Sequence, residues 1–147
     1  MQLYENILIP LDGSDLAATA LPHATTIATT TNANLHLLQV LPTPIITRNS
    51  AIQQSILELA HGEAEDYLHD IRRQINQPIA IHVHVSHGRT TPSILDYITD
   101  HAIDLIVMSS HGHTGLAKLR YGSIAEELLQ QAPCPILLVR HNDKVNI

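Results

Sequence analysis

One stretch of this chain combines the residue types and the spacing of an anion-binding loop. It runs from 108 to 123 and includes Gly112 and Gly122 among small and hydroxyl side chains. An apolar run of strand length, 103–108, precedes it, and residues 124–131 carry apolar side chains at helical spacing. A strand that leads through such a loop into a helix gathers free backbone N–H groups and the positive end of a helix dipole at one point. The chemistry predicted for this stretch is the binding of a phosphate group.

The same residues also fit a purely structural role. Ser123 and Glu126 match the capping box, in which the serine satisfies a helix N–H group and the glutamate reaches back. Glycine also serves in ordinary turns, and short glycine motifs often occur without a ligand. Periodicity and glycine alone therefore leave both interpretations open, a phosphate site and a capped helix start.

Length and composition predict a single packed domain, residues 1–147. A chain of 147 residues is long enough to bury a proper core. Hydrophobic residues make up 44% of it and charged residues 15%, which argues against disorder. Because Phe and Trp are absent, the core must be built from Ile, Leu, Val and Ala, which suit buried parallel strands.

Charge and cysteine content exclude several classes of partner. The formal charge is -6 with eight Lys and Arg, and no basic cluster stands out, so neither nucleic acid nor an anionic membrane is expected as a partner. The single Cys134 cannot form an internal disulfide, and its position between two prolines favours a small buried residue over a reactive thiol. With no basic leader and no apolar stretch of spanning length in view, a cytoplasmic location is expected.

The chain alternates between strand and helix patterns. Strands are predicted at 6–11, 35–41, 79–85, 103–108 and 136–139, and helices at about 15–30, 51–74, 92–102 and 124–131. Ser14 and Thr91 are the expected N-caps, with Pro92 at a first helical position. The second helix has an expected buried face, formed by Ile52, Ile56, Leu59, Ala60, Leu68 and Ile71.

Five strands alternating with four helices define an α/β domain with an all-parallel sheet and right-handed crossovers. In such sheets the ligand lies beyond the carboxyl ends of the strands, at the point where the strand order reverses. If the first and fourth strands are neighbours there, the Asp12 loop faces the glycine loop across one crevice. The fold class thus brings two separate parts of the sequence to one site.

The residues around this crevice suit a mononucleotide. Gly112, Gly122 and Ser123 would hold phosphates through backbone N–H groups and a hydroxyl. Asp12 would accept hydrogen bonds from ribose hydroxyls, and Val40 ends a strand close enough to offer backbone groups to a base. An alternative for Asp12 is a turn-forming carboxylate that starts the first helix together with Ser14.

Two histidines share one face of the third predicted strand. His82 and His84 are two residues apart, which is the period of a strand. Such a pair can bind zinc, but a zinc site needs three or four ligands, and no third ligand stands at a recognisable spacing. They are interpreted as solvent-facing residues of an outer strand.

At this point the chain resembles the universal stress protein family. That family carries, after its fourth strand, a Gly, two residues, a second Gly, nine residues, and then Gly followed by Ser or Thr. Here Gly112, the nine residues 113–121 and the pair Gly122 and Ser123 match this pattern, and Ser109 stands in the place of the first Gly. Residues 6–14 resemble the opening strand of the family with its Asp, and 132–139 resemble its closing strand.

The resemblance implies a nucleotide-binding stress or regulatory protein with a Rossmann-like sheet in the order 3-2-1-4-5 and helices on both faces. It implies ATP as the ligand, or AMP or ADP, with Mg²⁺ as a possible companion. The implied nucleotide-binding residues are Pro10, Leu11, Asp12, Val40, Met108, Ser109, Gly112, His113, Gly122, Ser123 and Ile124. It also implies a homodimer that forms through the strand at 136–139. Because Ser109 adds a Cβ where the family has Gly, it is expected to weaken or alter binding at most.

Catalysis has little support in the sequence. The chain has no G-x-x-x-x-G-K-[ST] loop, so no lysine is placed to neutralise a transferring phosphoryl group. Lys118 and Arg120 could reach phosphates, although a solvated surface role is expected for both. At most slow ATP hydrolysis is predicted. The competing classes are a slow ATPase or nucleotidyl-transferring enzyme, and a dimer module whose nucleotide site is vestigial.

Overall fold

The computed structural model describes residues 3–43, 49–110 and 122–140. In chain order the elements are β1 (Asn6–Leu11), α1 (Asp15–Ala18), α2 (Leu21–Thr31), β2 (Asn34–Leu41), α3 (Ser50–Gln74), β3 (Ile81–His87), α4 (Thr90–Asp100), β4 (Leu105–Ser109), α5 (Ser123–Gln131) and β5 (Ile136–Val139). The five strands form one parallel sheet in the order β3-β2-β1-β4-β5. The predicted α/β class and the predicted strand order are both confirmed.

Helices cover both faces of the sheet. The helices α1, α2 and α3 pack on one face, where the buried residues of β1 are Ile7, Ile9 and Leu11. The helices α4 and α5 pack on the other face, where Leu8 of β1 is buried. This division follows from right-handed crossovers, because connections that run in opposite directions across a sheet cover opposite faces. The change of direction occurs between β1 and β4, which are neighbours in the sheet.

The helix predicted at 15–30 is wrong as a single element. The structure has a four-residue α1, a break at Thr19 and Ala20, and then α2. The Thr19 hydroxyl donates to the carbonyl of Leu16 at 2.6 Å, a local bond that competes with continued helix. Pro22 then stands in the first turn of α2, where its missing N–H group costs nothing. The expected N-cap role of Ser14 is confirmed, since its hydroxyl accepts from Ala17 N–H at 3.1 Å.

Two predicted caps are corrected. The helix α4 begins at Thr90 with Arg89 as N-cap, and Thr91 is buried with its hydroxyl donating to Glu127. The helix α5 has Gly122 as N-cap, and no side-chain capping bond is formed there. The capping box predicted for Ser123 and Glu126 is therefore wrong. The backbone N–H groups that follow the N-cap therefore have no side-chain cap among the described residues.

The buried face predicted for α3 holds only in its second half. Leu68 and Ile71 are buried as expected, whereas Ile52, Ile56 and Leu59 are 56%, 56% and 66% exposed. The helix is 25 residues long and extends past the sheet, because a neighbouring strand of eight residues offers a shorter surface to cover. The helical spacing of the apolar residues correctly predicts the helix. It does not show how much of the helix the sheet can cover.

A buried histidine network joins the sheet to α4. His36 of β2 is 5% exposed, and both of its ring nitrogens have partners: the Tyr97 hydroxyl lies 2.8 Å from Nδ1, and Asn6 Oδ1 lies 3.1 Å from Nε2. Asn6 Oδ1 can only accept, so Nε2 carries the proton and Nδ1 accepts from Tyr97. Burial lowers the pKa of His36 to about 4, and His82 and His101 add to the lowering. The network holds His36 in its neutral form.

The predicted pair His82 and His84 belongs to this network. Both side chains are exposed on the outer strand β3, as predicted, but their rings are not isolated. His82 stacks on His36 with ring centroids 4.8 Å apart, and His84 lies 6.4 Å from His101 of α4. Within the described ranges, no group of three His, Cys, Asp or Glu side chains is arranged to hold a metal ion.

Most of the predicted anion-binding loop, residues 111–121 with Lys118 and Arg120, lies outside the described residues. Cys134 is partly buried beside the α4 and α5 layer, and burial together with Asp104 raises the pKa of its thiol. This environment agrees with the expected unreactive role.

Among the described helices, none combines the length and the apolar character that a membrane span requires.

Candidate functional site

A cavity of about 300 Å³ lies at the carboxyl ends of the strands, where β1 and β4 are neighbours. This is the position at which α/β sheets of this kind bind their ligands, and the volume falls at the lower end of the range for small-molecule sites. Nine of the eleven predicted nucleotide-binding residues line it, namely Pro10, Leu11, Asp12, Val40, Met108, Ser109, Gly122, Ser123 and Ile124. The other two, Gly112 and His113, lie outside the described residues.

Six further residues line the cavity and were not predicted, namely Ala17, Leu38, Thr90, Ile94, Ser110 and Ala125. Leu38 and Ile94 are fully buried and give the cavity an apolar wall on the β2 and α4 side. Thr90 and Ser110 add hydroxyl groups. Thr90 is the first residue of α4, and nothing in the neighbouring sequence shows that this helix start lies at the cavity.

The N-terminus of α5 opens onto the cavity. Gly122, Ser123, Ile124 and Ala125 all line it. The first helical N–H groups have no carbonyl partner inside a helix, and the described residues provide no side-chain cap for them. The N–H groups of Ser123, Ile124 and Ala125 therefore face this region without helical partners, at the positive end of the helix dipole.

The backbone N–H group of Gly122 already has a partner within the protein. Its N–H group donates to the carbonyl of Ser110 at 2.7 Å and is already used. Ser110 N–H donates in turn to the carbonyl of Val139 at 2.9 Å, so the start of α5 is tied to the ends of β4 and β5. The N–H groups available to an anion are those of the three residues that follow Gly122.

Asp12 forms the turn that was considered as an alternative to ligand binding. Its Oδ1 accepts from Ser14 N–H at 2.9 Å and from the Ser14 hydroxyl at 2.5 Å. Gly13 between them has a φ of +86°, which favours glycine. The carboxylate is nevertheless exposed and lines the cavity, and its Oδ2 makes no hydrogen bond to a described residue. One oxygen shapes the turn while the other remains available to a ligand.

Ser109 occupies the last position of β4, paired in register with Val139. It is buried and lines the cavity next to Met108. A side chain at this position therefore takes up space at the wall of the cavity. Among the described lining residues Asp12 carries the only charge, so the positive potential there comes from the backbone of α5.

The whole described chain matches one protein family. A family model described as the universal stress protein family matches residues 3–140. A curated relative, universal stress protein MJ0531 of Methanocaldococcus jannaschii, is 31% identical over 145 residues, which cover 97% of this chain and 85% of the relative. The chain therefore belongs to the universal stress protein family.

Solved structures agree with this assignment. The universal stress protein UspA from Lactobacillus plantarum is 28% identical, with a TM-score of 0.83 over 93% of this chain and 98% of that one. Protein MJ0577 of Methanocaldococcus jannaschii is 25% identical, with a TM-score of 0.88 over 96% of this chain and 99% of that one. The Rossmann-like architecture of this chain is that of its family.

Proposed function

We propose that this universal stress protein is a single domain that binds an adenine nucleotide, ATP or its AMP or ADP form, in the cavity between β1 and β4, and that it acts as a regulatory or protective protein in the cytoplasm. The observation that carries the proposal is that nine of the residues implied by the family resemblance line one cavity, in front of three N–H groups that lack helical partners. Binding at the N-terminus of a helix suits a phosphate group.

The walls of the cavity suggest how the nucleotide is divided among them. The phosphates lie at the start of α5, where the N–H groups of Ser123, Ile124 and Ala125 meet them. The ribose lies beside Asp12, whose free carboxylate oxygen accepts hydrogen bonds from the ribose hydroxyl groups. The base lies against the apolar wall of Leu38, Val40 and Ile94. If Mg²⁺ accompanies the phosphates, the carboxylate of Asp12 and the hydroxyl of Ser123 are oxygen ligands of the kind that it prefers.

More distant members of the fold family have been solved with related ligands. A universal stress protein in complex with cAMP is 20% identical to this chain, with a TM-score of 0.61. A family protein from Arabidopsis thaliana with AMP bound is 12% identical, with a TM-score of 0.64. At these identities the likeness concerns the fold. It supports the proposal by showing that this architecture accommodates an adenine nucleotide.

The direct test is to identify the nucleotide that co-purifies with the protein and to titrate ATP, ADP and AMP by calorimetry. The proposal expects saturable binding with one site per chain. Turnover clearly above the rate without protein would favour the slow enzyme. A nucleotide-free sample whose melting temperature does not respond to ATP would favour the vestigial module and contradict the proposal.

The two roles of Asp12 can be separated by an isosteric change. Asp12→Asn keeps an oxygen that accepts from Ser14, so the turn should survive, but it replaces the free acceptor oxygen by an amide donor. We expect ATP affinity to fall about fivefold, or about 1 kcal/mol, with a small shift in melting temperature. Asp12→Ala should lose a similar amount of ATP affinity. It should also be less stable, because the hydrogen bonds from Ser14 to the Asp12 carboxylate are lost.

Asp15→Asn is the matched control for Asp12→Asn, because it removes a neighbouring charge at an exposed residue that does not line the cavity. Its ATP affinity should stay within a factor of two. Equal weakening by both changes would show that overall charge matters rather than a contact with the ribose. If Asp12→Asn binds ATP as tightly as the wild type, the role of Asp12 is limited to forming the turn.

The homodimer also belongs to this proposal, and the edge strand β5 is its basis. Ile106 N–H donates to the Pro135 carbonyl, and Ser110 N–H donates to the Val139 carbonyl. Since backbone partners alternate along a parallel ladder, the N–H and C=O groups of Ile136 and Leu138 point away from β4. Leu137 is 38% exposed beside them. This edge can pair with its own copy across a two-fold axis.

Replacing Leu137 by Lys should weaken this dimer about fivefold, because two buried ammonium groups would meet across the two-fold axis. Leu138 is a poorer choice, since it packs on the α4 and α5 layer and a lysine there would disturb the core. Light scattering over a concentration series measures the effect, with Leu59→Lys on the exposed part of α3 as the control. A wild type that is monomeric at micromolar concentration would contradict the interface.

A further inference from the structure

The other edge of the sheet, at β3, has an open ladder of backbone groups. Leu35 N–H donates to the Ala80 carbonyl at 2.8 Å, and Gly88 N–H donates to the Leu41 carbonyl at 2.9 Å. Backbone partners alternate along a parallel ladder, so even-numbered residues from 80 to 88 bond to β2. The N–H and C=O groups of Ile81, Val83 and Val85 therefore point outward. No strand among the described residues pairs with them.

This edge lacks the usual protection against pairing. Edge strands commonly carry Lys, Pro or a bulge that discourages the approach of another strand. Between Ile81 and His87 the sequence has no Pro and no Lys, Arg, Asp or Glu. The register with β2 runs without interruption over all seven residues of the strand. The backbone here is thus shaped to accept one more strand.

A groove of about 670 Å³ runs beside the first half of β3. The residues that line it come from the end of α3, the following turn and the strand, namely His69, Arg72, Ile75, Gln77, Ile79, Ala80, Ile81, His82 and Val83. Ile75, Ile79, Ile81 and Val83 form an apolar floor that is only partly buried. The groove lies toward the amino end of the strand, opposite the end of the sheet that carries the nucleotide cavity.

The rim of the groove carries one cationic side chain, Arg72, with the imidazole of His69 beside it. Arg72 and His69 are three residues apart on α3, so they lie on the same side of the helix. No carboxylate lines the groove, and the Arg72 guanidinium has no ion-pair partner among the described residues. The next residue, Arg73, is different, because it pairs with Asp70. In a chain of net charge -6, this is a local surplus of positive charge beside an unpaired edge.

We propose that the β3 edge is a docking site for an extended acidic peptide segment of a partner protein, which adds a strand to the sheet. Main-chain hydrogen bonds to Ile81, Val83 and Val85 supply affinity that is independent of sequence, and side chains at every second position supply selectivity. On one face of the added strand, acidic side chains reach Arg72 and His69. A second copy of this chain suits the site less well, because its own β3 edge brings further histidines instead of carboxylates.

A labelled peptide of alternating valine and glutamate, capped by glycine at both ends, is the probe, and fluorescence anisotropy is the measurement. We expect saturable micromolar binding that weakens with salt. The same peptide with lysine in place of glutamate should bind at least tenfold more weakly. Absence of binding, or equal binding by the two peptides, would overturn the assignment.

Two adjacent arginines provide a matched pair of variants. Arg72→Ala should weaken the peptide about fivefold, whereas Arg73→Ala should change it less than twofold, because Arg73 is engaged by Asp70. If Arg72→Ala and Arg73→Ala weaken peptide binding equally, binding depends on the net charge of the protein. In that case the peptide does not bind in the groove.

Backbone pairing is tested without altering the protein. Two peptides are N-methylated at alternate residues, one at the valines and the other at the glutamates. A strand that pairs along one edge uses every second N–H group, so only one of the two peptides should lose binding. Equal effects would contradict strand addition. A peptide affinity that falls as protein concentration rises would show that a second copy occupies the edge, and this too would overturn the proposal.

Discussion

Replacing Gly122 by Val is expected to weaken ATP binding at least tenfold, or about 1.4 kcal/mol. Gly122 is the N-cap of α5 and lines the cavity in front of the three N–H groups that lack helical partners. A branched side chain at this position would enter the space that the phosphates need. The measurement is calorimetric titration with ATP, and Gly122→Ala should give a smaller loss because it adds a single carbon.

The Gly122→Val protein should still fold. Its φ of -67° and ψ of 157° lie in the extended region that any residue adopts. The bond from residue 122 N–H to the Ser110 carbonyl does not depend on the side chain. Gly62→Val is the control, since a Cβ at Gly62 meets no atom within 4 Å and that residue lies far along α3. Unchanged affinity in a folded Gly122→Val protein would rule out this placement of the phosphates.

The second large effect is a loss of stability in mild acid that depends on His36. The pKa of His36 is about 4 in the folded protein, below its ordinary value of 6.5, chiefly because the ring is buried. Above pH 6.5 the ring is neutral in both states, and its contribution to folding is complete. As the pH falls from 6.5 to 4, the unfolded chain binds a proton that the folded chain does not. The free energy of unfolding therefore falls through this window.

The groups that face His36 act in the same direction. His82 stacks on it from β3, the Tyr97 ring approaches it from α4, His101 approaches it from the residue after α4, and Asn6 of β1 accepts its Nε2 proton in a hydrogen bond. A positive charge on the His36 ring is disfavoured by His82 and His101, which both lower its pKa. The expected loss between pH 7 and pH 4 is about 2 kcal/mol, after allowance for screening at the exposed histidines.

Urea unfolding of the wild type and of His36→Gln from pH 7.5 to pH 4 measures this effect. The amide can keep one donor and one acceptor but does not titrate, so the variant should lose stability less steeply. His23→Gln on the exposed surface of α2 is the control and should follow the wild type. Parallel curves for wild type and His36→Gln would show that carboxylates, and not this ring, set the acid sensitivity.

The strands follow from local apolar runs in the sequence, and the strand order follows from the resemblance to the family. A short apolar run of β-branched and aliphatic residues such as 7–9 is typical of a buried strand, and polar residues such as Asp12 mark its end. Once the strand order is known, the crevice between β1 and β4 follows from topology. Pro22 was a visible signal for the break between α1 and α2 that helical periodicity concealed.

What could not be predicted depends on register and on free hydrogen-bonding groups. His36 and His82 are paired in register across β2 and β3, and no pattern in either segment shows which residues meet. The hydrogen bond from Gly122 N–H to the Ser110 carbonyl is likewise a tertiary contact that the sequence does not show. Because of it, we propose that the phosphate contacts come from the residues after Gly122. Ile52 and Leu59 are exposed because α3 extends beyond the edge of the sheet. The amphipathic spacing of a helix does not show how far it extends.

Ser110 has a consequence for how the protein must be assayed. Its N–H group bonds to β5 and its carbonyl receives the N–H group of Gly122, so two hydrogen bonds connect the proposed phosphate site to the proposed dimer edge. Any displacement at one end that is transmitted through this residue couples the two equilibria, and such coupling is reciprocal. Nucleotide affinity would then vary with protein concentration, and the dimer dissociation constant would vary with nucleotide by the same factor. Titrations at two protein concentrations a hundredfold apart would reveal the thermodynamic linkage.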